Sequence, residues 1–134
     1  MNKKHFINNI DVTIERLEKL IIKINLTIAK KEDPKGVLKE FDKFGRTLLV
    51  DLDLYLKNYP EDVSISEKKH KLNIYIIDFK LAVAEGKYRL LENLANGLLA
   101  ELGDLQNDLE SKLGKANRKR ESIQAAVQEM KKAA

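Results

Sequence analysis

This chain has no cysteine and no tryptophan, only two prolines, and few aromatic residues, four Phe and four Tyr. Without cysteine there is no disulfide framework, no thiolate nucleophile and no cysteine-ligated zinc, a usage that fits a reducing compartment. Prolines stand only at Pro34 and Pro60, so long helices can run uninterrupted between them. The six glycines are isolated, and none forms the glycine-rich strand-to-helix loop that cradles phosphate. No apolar run approaches the roughly 20 residues of a membrane span. The N-terminal segment, broken by Asn8, Asn9, Asp11, Glu15 and Arg16, lacks the continuous apolar core of a signal peptide. The expectation is a cytoplasmic protein.

What remains is Leu, Ile, Lys, Glu and Ala, the composition of long helices and coiled coils. Ile7, Ile10, Ile14, Leu17, Ile21, Ile24 and Ile28 alternate at spacings of three and four, a heptad seam that predicts a first helix over 3–31. Ile22 and Leu26 widen its face beyond a two-stranded seam. Asp33-Pro34 reads as an N-cap followed by proline at the first helical position. Val37, Phe41, Phe44, Leu48, Leu52 and Tyr55 then line a second helix over 34–58, which Tyr59-Pro60 stops. Ser64-Ile65-Ser66-Glu67 has capping-box spacing.

From there one apolar direction persists through Leu72, Ile76, Phe79, Val83, Leu90, Leu94, Leu98, Leu105 and Leu109, at about 100° per residue. The stripe predicts a long third helix over 65–113, with Gly97 or Gly103 as the places where it would turn if it folded back. Its unbroken phase favours continuity, with extension as a coiled coil. Gly114 to Ser122 holds no large apolar residue, which predicts a basic hinge over 114–122 before a short amphipathic helix over 122–131. The expected fold is all-α: one domain, an antiparallel bundle of three to four helices joined by short loops.

The net charge of +4 is unevenly spread. Residues 1–31 hold seven basic and three acidic groups, residues 32–111 eleven and sixteen, and residues 112–134 seven and two. Solvated helix faces produce such a pattern, and so does an acidic middle that attracts basic ends of another copy.

Candidate chemistry is sparse. Glu67 and His70 have the Glu-x-x-His spacing of di-iron bundles, but a second such motif is missing, and a capping glutamate beside a surface histidine explains them. Glu101, Asp104 and Asp108 recur at helical spacing without a loop that gathers further oxygens, as on a solvated face. Asp51 and Asp53 lie among Leu48, Leu49, Leu52 and Leu54, where a structural ion pair is the simpler role. No serine or histidine stands in a nucleophilic context. No enzyme, cofactor or metal site is expected.

Two binding readings follow. A 75 Å helix would leave Leu98, Leu102, Leu105, Leu109 and Leu113 uncovered by its shorter neighbours. That row predicts a non-enzymatic protein-protein interaction module of the adaptor, chaperone or inhibitor type, with a protein partner or a second copy in a homodimer. The small residues Ala82, Gly86, Asn93, Gly97 and Ala100 beside it admit a close neighbour. The alternative is nucleic-acid binding by the basic arm Lys112, Lys115, Arg118, Lys119 and Arg120, whose cations would release counterions from a phosphate backbone, although it lacks aromatics for base stacking.

Overall fold

The computed structural model describes residues 2–133, with side chains described for residues 2–111 and for Ala125. It is all-helical: α1 (Lys3–Ala29), α2 (Lys35–Asn58), α3 (Val63–Ala84) and α4 (Arg89–Ala133), with no strand among the described residues. Short connections make successive helices antiparallel. Each packs on its sequence neighbours, and α4 closes the ring against α1.

Each helix end has an identifiable cause. The Asn2 side chain caps α1 by accepting from the His5 amide at 2.7 Å. Beyond Ala29, the Lys31 amide donates to the Ile28 carbonyl and the Glu32 amide to Thr27, with Lys31 at φ 55°; this is a Schellman closure with a lysine in the left-handed position. The N-cap of α2 is Pro34, without a side-chain cap, and not Asp33 as expected; the Asp33 carboxylate, one residue further out, accepts from the Lys35 amide at 3.1 Å in an Asx turn that leads into the helix. The capping box at Ser64 is not used. Asp62 caps α3 instead, accepting from the Ile65 amide at 3.2 Å, and the helix starts at Val63.

The long third helix expected over 65–113 is interrupted. Gly86 lies at φ 69°, its amide donates to the Val83 carbonyl, and the Lys87 amide donates to Ala82. The chain therefore reverses at Glu85–Tyr88 by a second Schellman closure, here with the glycine that this geometry favours. Neither Gly97 nor Gly103 turns; both sit inside α4. The helical backbone also continues through 114–122, where loss of the apolar row predicts a hinge. At 45 residues against 27 for α1, α4 is about 67 Å long and outruns α1 by roughly 27 Å.

The core is one continuous cluster with two aromatic layers. Phe6 of α1 stacks on Tyr55 of α2 with ring centroids 4.3 Å apart, and Phe41 of α2 stacks on Phe79 of α3 at 3.7 Å. Between them lie Ile10, Leu17, Leu48, Leu52, Leu72 and Ile76, all buried. Such pairs add about 0.5–1.5 kcal/mol beyond area burial. The buried Tyr55 hydroxyl donates to Asp62 Oδ2 at 2.7 Å. Burial, reinforced by that carboxylate, pushes the phenol well above its usual range, so it stays a donor and ties the end of α2 to the α3 cap.

Candidate functional site

The reversal at Gly86 decides the fate of the distal leucines. Leu98, Leu102 and Leu105 are 0% exposed and Leu109 is 3% exposed. They belong to the chain's own core, because folding α4 back between α1 and α3 gives the row an intramolecular cover. The expected partner seam is thereby corrected for these four residues. Leu113, and the basic residues Lys112, Lys115, Arg118, Lys119 and Arg120, have side chains outside the described residues.

The acidic residues at helical spacing on α4 also meet α3. Lys68 donates to Glu101 Oε2 at 2.6 Å and lies 4.0 Å from Asp104. Both members of the closer pair keep only about a fifth of their side-chain surface. The Glu101 carboxylate raises the Lys68 amine above its ordinary value. Ser64 donates to Asp108 at 3.4 Å. The carboxylates thus hold α3 to α4 around a partly buried cation. Asp53 pairs with Lys69, again between helices. Asp51 is half-buried, and burial raises its carboxyl against the opposing pull of Arg16 and His5. Glu67 and His70 are exposed. Among the described residues no group of three or more His, Asp or Glu side chains could hold a metal ion.

Besides the reversal at Gly86 and the buried Ala82, the small-residue strip serves close packing at Gly97. A Cβ on Gly97 would come within 2.5 Å of the Tyr75 ring, so glycine there lets α3 and α4 approach across a flat tyrosine. A Cβ on Gly45 would meet Ile76 at 3.2 Å, a looser version of the same device between α2 and α3.

Beyond the core and these pairings, the described residues leave exposed apolar pairs on α1 (Ile22, Leu26) and α2 (Val50, Leu54) and two more extended surfaces. The first is the outer side of α3. Ile74, Ile77 and Leu81, at i, i+3 and i+7, are 45%, 47% and 53% exposed, directly opposite the buried Leu72, Ile76 and Phe79. The second is the seam of α1 with α2, where a groove of about 310 Å³ has Leu20 and Phe44 as its floor and Arg16, Lys19, Lys23 and Lys43, with the single acid Glu40, at its rim. Sequence reasoning passed over both. The signal for the first was the run Ile74-Tyr75-Ile76-Ile77, apolar on both sides of a helix. The signal for the second was Lys35, Lys39 and Lys43, like charges four residues apart.

No family model, no curated protein and no solved structure matches this chain. Among the described residues no helix is long and apolar enough to cross a membrane.

Proposed function

We propose that this chain is a non-enzymatic protein-protein interaction module of the adaptor, chaperone or inhibitor type, whose docking element is the outer row of α3. The observation that carries this reading is the placement of Ile74, Ile77 and Leu81. Three half-exposed aliphatic side chains at i, i+3 and i+7 on a helix already packed on its other side match the anchor spacing by which one amphipathic helix engages another. The row does nothing for the core, and a fold alone would favour polar residues there. The occupant is a single apolar helix face of a partner protein. Three half-covered side chains fall far short of the roughly 1,000 Å² that a stable interface buries, so α3 supplies the centre of a larger contact rather than a homodimer seam of its own.

The test is capture of partners from the native host by the tagged chain, compared with Ile77→Asp/Leu81→Asp. Both side chains point to solvent, so circular dichroism and thermal unfolding of the double variant should match the parent. Loss of a stoichiometric protein from the variant supports the reading. Its undiminished capture by a folded variant removes α3 from the contact. Sedimentation of the purified chain tests self-association directly.

A further inference from the structure

We propose that the α1–α2 face binds the phosphate backbone of nucleic acid, through two parallel rows of cations on the described part of the bundle. This stands independently of the docking role given to α3. Arg16, Lys19 and Lys23 form the α1 row; Lys35, Lys39 and Lys43 form the α2 row. All six are exposed, and four of them rim the same groove.

Three observations point to an anionic ligand. First, the spacing places like charges next to one another. Lys19 and Lys23, Lys35 and Lys39, and Lys39 and Lys43 are i, i+4 neighbours, and Arg16 and Lys19 are i, i+3; each such pair costs a helix about 0.2–0.5 kcal/mol. Second, Lys35 occupies the first turn of α2, which holds no acidic residue. A cation there opposes the helix dipole. Stability therefore favours neither placement, and a bound polyanion would relieve both. Third, the two α2 carboxylates on this face are already occupied, which leaves Glu15 beside Lys19 as the acid of the α1 row. Glu40 is held by Lys23 at 3.2 Å, and Asp42 by Arg46 at 2.6 Å and Lys80 at 2.8 Å. Those contacts hold the Asp42 carboxyl below its ordinary value, the Lys80 hydrogen bond most of all. Lys19, Lys35, Lys39 and Lys43 enter no ion pair among the described residues.

The geometry favours a nucleic-acid backbone over an acidic protein helix. Successive lysines of the α2 row rise about 6 Å along the helix, close to two nucleotide steps of about 3.4 Å on one strand. A single acidic helix seated in the groove would leave Lys35 and Lys39 outside it, because those residues stand beyond its rim. A phosphate backbone longer than the groove would reach past its rim to Lys35 and Lys39. Exposed aromatics for base stacking are missing from the face, so the expected binding is independent of sequence and steeply dependent on salt.

The experiment is fluorescence anisotropy with a labelled 20-base-pair DNA duplex and a labelled 20-nucleotide single strand, titrated with the full chain at 50–200 mM salt. The variants are Lys35→Gln/Lys39→Gln/Lys43→Gln, the same three positions changed to Arg, and Arg118→Ala/Lys119→Ala/Arg120→Ala in the terminal arm. The expected result is binding by the parent and the arginine variant, at least tenfold weaker binding by the glutamine variant at 100 mM salt, and a log–log salt slope smaller by about 3 in that variant. The glutamine variant should also melt no lower than the parent, which separates lost contact from lost fold. Any of three results overturns the proposal: neither probe binds at 50 mM salt, the glutamine variant binds as the parent does, or only the arm variant loses affinity. Displacement of the duplex by an equal charge concentration of poly-glutamate would also overturn it, assigning the face to an acidic protein.

Discussion

The α3–α4 seam and the α1–α2 seam are built from the same residue types and reach opposite electrostatic solutions. Across α3–α4 a partly buried lysine sits among carboxylates, with Lys68 on Glu101 and near Asp104, while Gly97 lets the backbones close on Tyr75. Across α1–α2 the single inter-helix ion pair among the described residues, Lys23 with Glu40, is half-exposed, and cations outnumber the acids Glu40 and Asp42 that stand among them. The first arrangement is what a chain uses to hold itself together. The second spends a little stability on a charged face, which is the usual mark of a surface directed at something else.

The largest expected effect tests whether α4 seals the first region from inside. Leu102→Asp combined with Leu109→Asp buries two carboxylates without partners, and should abolish cooperative unfolding, read by circular dichroism and calorimetry. Retained helicity and a normal melting transition would return those leucines to a surface role. Next is Gly97→Ala, which drives a methyl group into the Tyr75 ring and should cost about 1–3 kcal/mol. The double variant Gly97→Ala/Tyr75→Leu should recover much of that loss. An equal loss in both would mean that α3 and α4 do not approach at this point.

A smaller effect is expected for Glu101→Gln, about 1 kcal/mol, since the pair is only partly buried. Its pH dependence has a definite sign. The Lys68 amine is raised in the folded chain above the ordinary 10.5, so its contribution is fully present below 10.5 and is lost as pH rises through the folded value. The melting difference between parent and variant should hold steady from pH 7 to 9 and shrink in strongly alkaline solution. Smallest, and opposite in sign, is Lys39→Gln. It removes two like-charge neighbours and should raise stability by a few tenths of a kcal/mol, in low salt only. A loss of stability would mean that the α2 row is matched to the fold after all.

Much of the architecture could be read from residue order. The isoleucine seam marks α1, and Asp33-Pro34 and Tyr59-Pro60 mark the two ends of α2, because turn residues and prolines act within a few residues, although the cap position itself falls on Pro34 and not on Asp33. The leucine stripe correctly placed Leu98, Leu102, Leu105 and Leu109 on an apolar face. It misassigned what covers that face. Glu85–Tyr88 is about one helical turn long, so an apolar row resumes on α4, displaced by about one residue from the expected stripe: Leu90 is 46% exposed, and Leu91, Ala95 and Leu98 are buried. An apolar period is identical in a straight helix and in two antiparallel helices that share a core.

Periodicity determines which side of each helix is apolar, since it is set by the 100° step between neighbours. Only tertiary packing decides whether that side meets the same chain or another. Here the decision rests on the left-handed Gly86, which folds α4 back between α1 and α3 and leaves the outer row of α3 and the cations of α1 and α2 in solvent. Charge follows the same division. Sequence alone supplies the count of lysines, whereas pairing Lys68 and leaving Lys39 unpaired required four helices in a ring, because a salt bridge depends on distances of a few ångströms between residues remote along the chain.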